Sequence, residues 1–286
     1  MKLKFEIKPT LFKLNISLFT AASLALNAAE LTHSQNQLDD LTRYFPADQI
    51  KTVMAAEQSI PVLINEQTGP SARGKALLLP DINLQAYQSQ SFSNLPDKLN
   101  DYGWVTIGSI APNDLTGVWQ LNEEQAKTLT AQPIKGAEQI SEADASAVKT
   151  QLKIMLNALN TEAENYPGLV LYVAQGATAG WLIEALSAGD IQLPDTLVLI
   201  SPYLPEYQLN KNLAKKIANL DIPVLDIWSE FDNRWALATV KHRQQAAKKY
   251  LTLHYRQRQL FARTGLNPRD NRLAKEIYAY ITYLGW

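Results

Sequence analysis

Residues 168–186, reading GLVLYVAQGATAGWLIEAL, constrain the fold more than any other stretch of this chain. Five apolar residues, Leu169 to Val173, run without alternation, as in a strand covered on both faces. They give way to Ala174-Gln175-Gly176-Ala177-Thr178-Ala179-Gly180, after which apolar positions recur with helical spacing at Trp181, Leu182, Ala185 and Leu186. Strand, tight turn and helix in immediate succession form the unit that, in some enzymes, lifts a nucleophilic side chain above a sheet. Here the residue expected at the tip of that turn, Gly176, has no side chain.

The chain before this unit begins with an expected leader. Lys2, Lys4, Lys8 and Lys13 make a basic region, and Leu14 to Leu26 is mostly apolar but short for a membrane span. Residues 1–28 are therefore expected to be a secretory signal peptide, cut after Ala25 or Ala28, with a retained N-terminal anchor as the alternative. The mature chain is expected to carry no transmembrane span and to reside in a bacterial periplasm. Removing the leader leaves 23 basic against 27 acidic residues, about −4 net, which gives no basic face for nucleic acid. With 46% apolar and 19% charged residues, the chain is expected to build a sizeable core. It contains no cysteine, which rules out disulfides, thiolate chemistry and a lipidated N-terminal cysteine.

In order, residues 31–45 and 47–58 are expected to be helices separated by Pro46, making 29–58 an N-terminal helical segment. Strands are expected at 60–64 and 75–79, joined as an antiparallel hairpin, then at 104–110, 169–173, 196–200, 222–228 and 251–256. Helices are expected at 95–102, 141–163, 209–220, 234–249 and 269–284, with an excursion over 113–136 that holds a short helix at 123–129. From residue 75 strands alternate with helices, so 59–286 is expected to form one α/β domain: a mainly parallel sheet with helices on both faces, on the α/β-hydrolase plan. A dinucleotide-binding fold would need a glycine-rich loop after Leu79, and that loop has no glycine.

Four short segments carry a family resemblance: Ala76-Leu77-Leu78-Leu79-Pro80-Asp81, Leu99-Asn100-Asp101-Tyr102-Gly103-Trp104-Val105-Thr106, Ala174-Gln175-Gly176-Ala177-Thr178-Ala179 and Ile222-Pro223-Val224-Leu225-Asp226-Ile227. In their order and spacing the chain, from about Leu38 onward, resembles domain-of-unknown-function family 3530, an exported proteobacterial group. The resemblance implies an α/β-hydrolase-like fold and no particular substrate.

A hydrolase of this plan needs a nucleophile on the turn, an acid after a later strand and a histidine after the last one. Gly176 falls at the nucleophile position and offers no oxygen. A rival register matches Gly176-Ala177-Thr178-Ala179-Gly180 to G-x-[ST]-x-G and makes Thr178 the nucleophile, but a β-branched residue at positive φ is an outlier. Thr178 is otherwise a helix N-cap or a small hydroxyl packed at the turn. Asp232 sits where the acid is expected, or else caps the helix that begins at Arg234. Only His33, His242 and His254 exist. His242 is expected on a solvated helix face and His254 on a strand face, and residues 261–267 contain none. The Ala177 amide remains as one oxyanion donor.

The residues expected to line a ligand site at this turn are Gly176, Ala177, Thr178, Asp81 and Asp232. Asp81, Asp232 and Glu230 are the carboxylates that topology directs to the same end of the sheet. No cofactor or metal motif is present. The leading expectation is a non-catalytic, pseudo-hydrolase protein that binds a small molecule or a periplasmic protein. The alternatives are an unorthodox esterase-like hydrolase using Thr178 or Ser201 with Asp232, and a structural cell-envelope protein.

Overall fold

The computed structural model describes residues 46–81, 92, 94–109, 140–261 and 271–286. The expected leader, the helix at 31–45, the excursion at 113–136 and the segment 262–267 lie outside the described residues, as does His33. Gln49–Trp286 form one compact unit.

Eight strands make one sheet: β1 (Ile50–Ala55), β2 (Gln58–Asn65), β3 (Gly74–Leu79), β4 (Trp104–Ser109), β5 (Leu169–Gln175), β6 (Thr196–Ile200), β7 (Val224–Ser229) and β8 (Tyr255–Leu260). They are ordered β1-β2-β4-β3-β5-β6-β7-β8. β1–β2 and β2–β4 are antiparallel, and β3 to β8 all run parallel. The helices are α1 (Leu95–Asp101), α2 (Glu142–Ala163), α3 (Gly176–Ala188), α4 (Tyr207–Ala218), α5 (Arg234–Lys249) and α6 (Arg272–Tyr283).

Each central strand feeds both cores, which explains its unbroken apolar sequence. Leu77, Leu79, Tyr172, Ala174, Leu197 and Leu199 pack with the stripes of α2, α3 and α4 on one face. Ala76, Leu78, Leu171, Val173, Val198 and Ile200 pack with α1 and α6 on the other. Helix α2 starts where Ser141 accepts the Asp144 amide at 3.1 Å and buries Val148, Leu152, Met155, Leu156 and Leu159 on the expected stripe. Because β3 neighbours β4 on one side and β5 on the other, connections diverge there. Such a switch point opens a crevice at the carboxyl ends of the two strands. Asp81 and Gly176 lie at those ends.

Three expectations are corrected. Residues 50–58 are not helical: β1 pairs with β2 through a two-residue turn, Ala56-Glu57, with φ of 47° and 65°. Such turns normally announce themselves by Asn-Gly or Gly-Gly, so the hairpin had no sequence signal. The strands at 60–64 and 75–79 do not pair with each other, because β4 lies between them. The turn that suggested a hairpin runs across the end of α1, where Thr68 and Gly69 amides both donate to Asn100 O at 3.1 Å. The last strand begins at Tyr255 rather than Leu251, since Leu251 and His254 hold positive φ and Leu253 is exposed.

Candidate functional site at the β5–α3 turn

Strand β5 ends at Gln175 in extended geometry and α3 begins at once with Gly176 at φ 60°. That left-handed value at the first residue after a buried strand is the backbone signature of a nucleophile elbow, and glycine holds it without a Cβ penalty. The turn is packed from two sides. Tyr203, in the loop after β6, donates its amide to Gly176 O at 3.2 Å. One helical turn further on, a Cβ at Gly180 would collide with the Tyr203 carbonyl, so glycine there lets this loop close over α3.

The space above Gly176 is filled by Asp81. A Cβ added to Gly176 would fall well inside contact with Asp81 Oδ2 and Cγ and 2.8 Å from Oδ1. Asp81 lies two residues beyond Leu79, the end of β3, which is paired with Ala174 of β5, so its side chain reaches across one strand spacing. It is 7% exposed, and its Oδ1 accepts the Ala177 amide at 3.1 Å. Ala177 N–H is the oxyanion donor that the elbow geometry creates, and here it is given to a carboxylate of the same chain. Thr178 stands within the first turn of α3, 2% exposed, and donates its hydroxyl to Pro80 O at 2.7 Å. It is neither the residue at the tip of the turn nor the N-cap, which is Gln175. Together Ala177 and Thr178 tie the β3 exit to the elbow. The structure therefore brings together four of the five expected residues: Asp81, Gly176, Ala177 and Thr178.

Asp232 belongs to the loop after β7. It does not cap α5: Asn233 does, accepting the Ala236 amide at 2.9 Å. Asp232 closes its own loop instead, taking the Ser229 amide at 2.7 Å. Burial pushes its carboxyl above the ordinary value, opposed by the Ser201 hydroxyl, the Ser229 amide and the charge of Arg243. Ser201 follows β6 with φ 52°, is buried, and its Oγ completes no hydrogen bond of ordinary geometry. Its hydroxyl is close enough to favour the ionised form of Asp232 without closing that bond. Gln175 Oε1 is likewise buried and unbonded on the neighbouring strand. Glu230 is exposed. Among the described residues no cluster of three or more His, Asp or Glu side chains forms.

The histidines are elsewhere. His242 is exposed on α5, as expected. His254 is in the turn that enters β8, not on a strand face, so it lies at the amino end of the parallel strands, away from the elbow. Trp181 is 1% exposed in the core, and Trp235 packs beside Ala177, Tyr203 and Ala236.

One buried polar cluster was not read from the sequence. Asp226 on β7 and Arg243 on α5 are both fully buried and joined at 2.8 Å. Tyr255 and Gln257 also donate to Asp226 Oδ2, while Arg243 Nη1 reaches Ala236 O and Thr239. Burial and the adjacent carboxylate push the Tyr255 hydroxyl far above its ordinary value. The available signal was the spacing of Ala236, Thr239, Val240, Arg243 and Ala247, which puts Arg243 on the apolar stripe of α5.

Strand order, crossover helices and elbow define an α/β-hydrolase fold. Solved structures agree. The dienelactone hydrolase from Anabaena variabilis superposes with a TM-score of 0.52 at 14% identity, over 83% of this chain and 99% of that one. Est1E from Butyrivibrio proteoclasticus gives 0.52 at 9% identity, over 82% and 97%. A putative carboxylesterase from Lactobacillus plantarum gives 0.54 at 10% identity, over 82% and 97%. At such identities the likeness is one of fold. A search of curated proteins finds no sequence match. The chain belongs to the family described as protein of unknown function (DUF3530), which matches residues 19–280.

Proposed function

We propose that this protein is a non-catalytic member of the α/β-hydrolase fold, exported to the bacterial periplasm, which acts by binding a small molecule or a protein partner. The observation that carries this reading is the Asp81 carboxylate in the space a nucleophilic side chain would take. Acyl transfer through this elbow needs an attacking oxygen, a base to take its proton and backbone amides free to receive the developing oxyanion. Gly176 supplies no oxygen, and the Ala177 amide is already bonded to the Asp81 carboxyl. A carboxylate at that point repels an oxyanion rather than stabilising it. Treatment of the purified protein with a fluorophosphonate, followed by intact-mass measurement, tests the reading. No adduct is expected, and a stoichiometric adduct on any serine or threonine of the described crevice overturns it.

A second reading rests on Ser201. A buried serine at positive φ with an unbonded hydroxyl, next to an acid whose proton is held more tightly than usual, is the kind of strained position found at functional sites. An unorthodox hydrolase using Ser201 with Asp232 requires fluorophosphonate to modify Ser201, and requires Asp232→Asn to suppress that modification. Thr178 is the weaker alternative nucleophile, because its hydroxyl already donates to Pro80 O.

A further inference from the structure

At the opposite end of the sheet, the turn between α5 and β8 exposes large apolar side chains that the core does not use. Leu251 is 82% exposed and Leu253 is 78% exposed, with Tyr250 and Tyr283 also exposed beside them. The turn is held firmly. Helix α5 ends with the Thr252 amide on Ala247 O at 3.0 Å and the Leu251 amide on Lys248 O at 3.4 Å. This is a Schellman closure, in which the residue at the Leu251 position takes positive φ and is usually glycine. Thr252 is pinned inward by its hydroxyl on Ala218 O at 2.7 Å, and His254 O accepts the Val224 amide and the Tyr280 hydroxyl. Leu251 and Leu253 therefore stand out on a rigid tip, flanking an anchored threonine.

Leucine is a poor choice for Leu251 on both counts. At φ 53° it bears the left-handed penalty that glycine or asparagine avoids, and it recovers nothing by burial. The charges around it select the kind of surface that repays this. Lys248 and Lys249 close α5 immediately before the tip, and Arg256 follows it, lying over the Tyr283 ring at 4.1 Å. Among the described residues none of the three pairs with a carboxylate. Asp221, on the turn that enters β7, is an exposed acid at the same end of the sheet. Exposed leucines and tyrosines at the centre of a cationic rim match a bilayer carrying anionic headgroups: apolar tips enter the acyl boundary, tyrosines sit at headgroup depth and cations meet phosphates. A soluble polyanion with no apolar surface would leave the leucines in water.

We infer that the Tyr250–His254 tip, with Lys248, Lys249, Arg256 and Tyr283, docks this protein reversibly on an anionic lipid surface. The chain has no cysteine, so Leu253→Cys in the full chain carries a single environment-sensitive fluorophore whose readout is local to the tip. With vesicles of phosphatidylcholine mixed with phosphatidylglycerol, a blue shift and quenching by brominated acyl chains are expected. Neither is expected with phosphatidylcholine alone, nor for the same label at the exposed Lys153→Cys on α2. Adding Leu251→Asn is expected to weaken vesicle affinity about tenfold, the cost of one partly inserted leucine. Its thermal midpoint should not fall, since asparagine suits positive φ. Lys248→Glu with Lys249→Glu is expected to weaken binding by at least about thirtyfold, through residues on an exposed helix end. No response to anionic vesicles overturns the inference, and so does an equal response to phosphatidylcholine alone. A blue shift that grows with protein concentration in the absence of lipid also overturns it, in favour of a second copy of the chain.

Discussion

Gly176→Ser restores the hydroxyl that the elbow lacks, and the structure makes it a costly change. The new Cβ must adopt φ 60°, a penalty of about 1–2 kcal/mol for a residue with a side chain. It also lands on the Asp81 carboxylate, which must move away from the Ala177 amide. Losing a hydrogen bond to a charged, buried group costs about 1.5–3 kcal/mol, and residual overpacking adds about 1 kcal/mol. The expected loss is about 3.5–6 kcal/mol, a large part of the roughly 5–15 kcal/mol that holds a typical domain together. Asp81→Ala alone leaves the Ala177 amide without its acceptor and costs about 1–3 kcal/mol. In the double variant the collision is gone, so the two losses should fall short of additive by about 2 kcal/mol. Equilibrium urea unfolding followed by tryptophan fluorescence measures all three variants against the parent. A Gly176→Ser loss under about 1 kcal/mol, or strict additivity with Asp81→Ala, refutes the placement of Asp81 over Gly176.

Other outcomes follow from the same geometry. Arg243→Met alone should cost about 3–5 kcal/mol by stranding the buried Asp226, whereas Asp226→Leu with Arg243→Met should cost much less in the same unfolding assay. Native Asp232 holds its proton above 3.8, so its contribution to stability falls as pH rises through that window. Asp232→Asn should accordingly gain stability relative to the parent between acid and neutral pH, and a difference independent of pH contradicts the burial of this carboxyl. Ala56→Asn with Glu57→Gly relieves two positive-φ positions in the β1–β2 turn and should raise stability by about 1–2 kcal/mol, read as an increased urea midpoint.

The parallel core was legible because each of its strands is buried on both faces and each crossover helix shows its own stripe and stop. Helices α2 and α5 begin and end within a residue of where capping and periodicity put them. Legibility failed where backbone geometry is carried by residues that do not advertise it. Ala56, Glu57, Leu251 and His254 all hold positive φ without glycine or asparagine, and they mark the missed hairpin and the shifted last strand. The site was half legible. Gly176 declared a turn without a nucleophile, and Asp81 was one of the carboxylates that topology directs to that end of the sheet. That the second fills the gap left by the first depends on β3 and β5 being neighbours. Chain order hides this adjacency, because β4 comes between them in sequence but not in the sheet. The role of Arg243 was hidden by its charge, although its place on the apolar stripe of α5 pointed inward.

Asp81 occupies the nucleophile's place by taking the Ala177 amide, and the resonance of that amide reports it directly. In a nitrogen-15 correlation spectrum recorded across acid pH, the Ala177 amide proton should lie downfield, titrate together with the Asp81 carboxyl and move upfield in Asp81→Ala. An Ala177 amide that ignores both pH and the Asp81→Ala substitution, and exchanges with solvent like an open turn, would contradict the account.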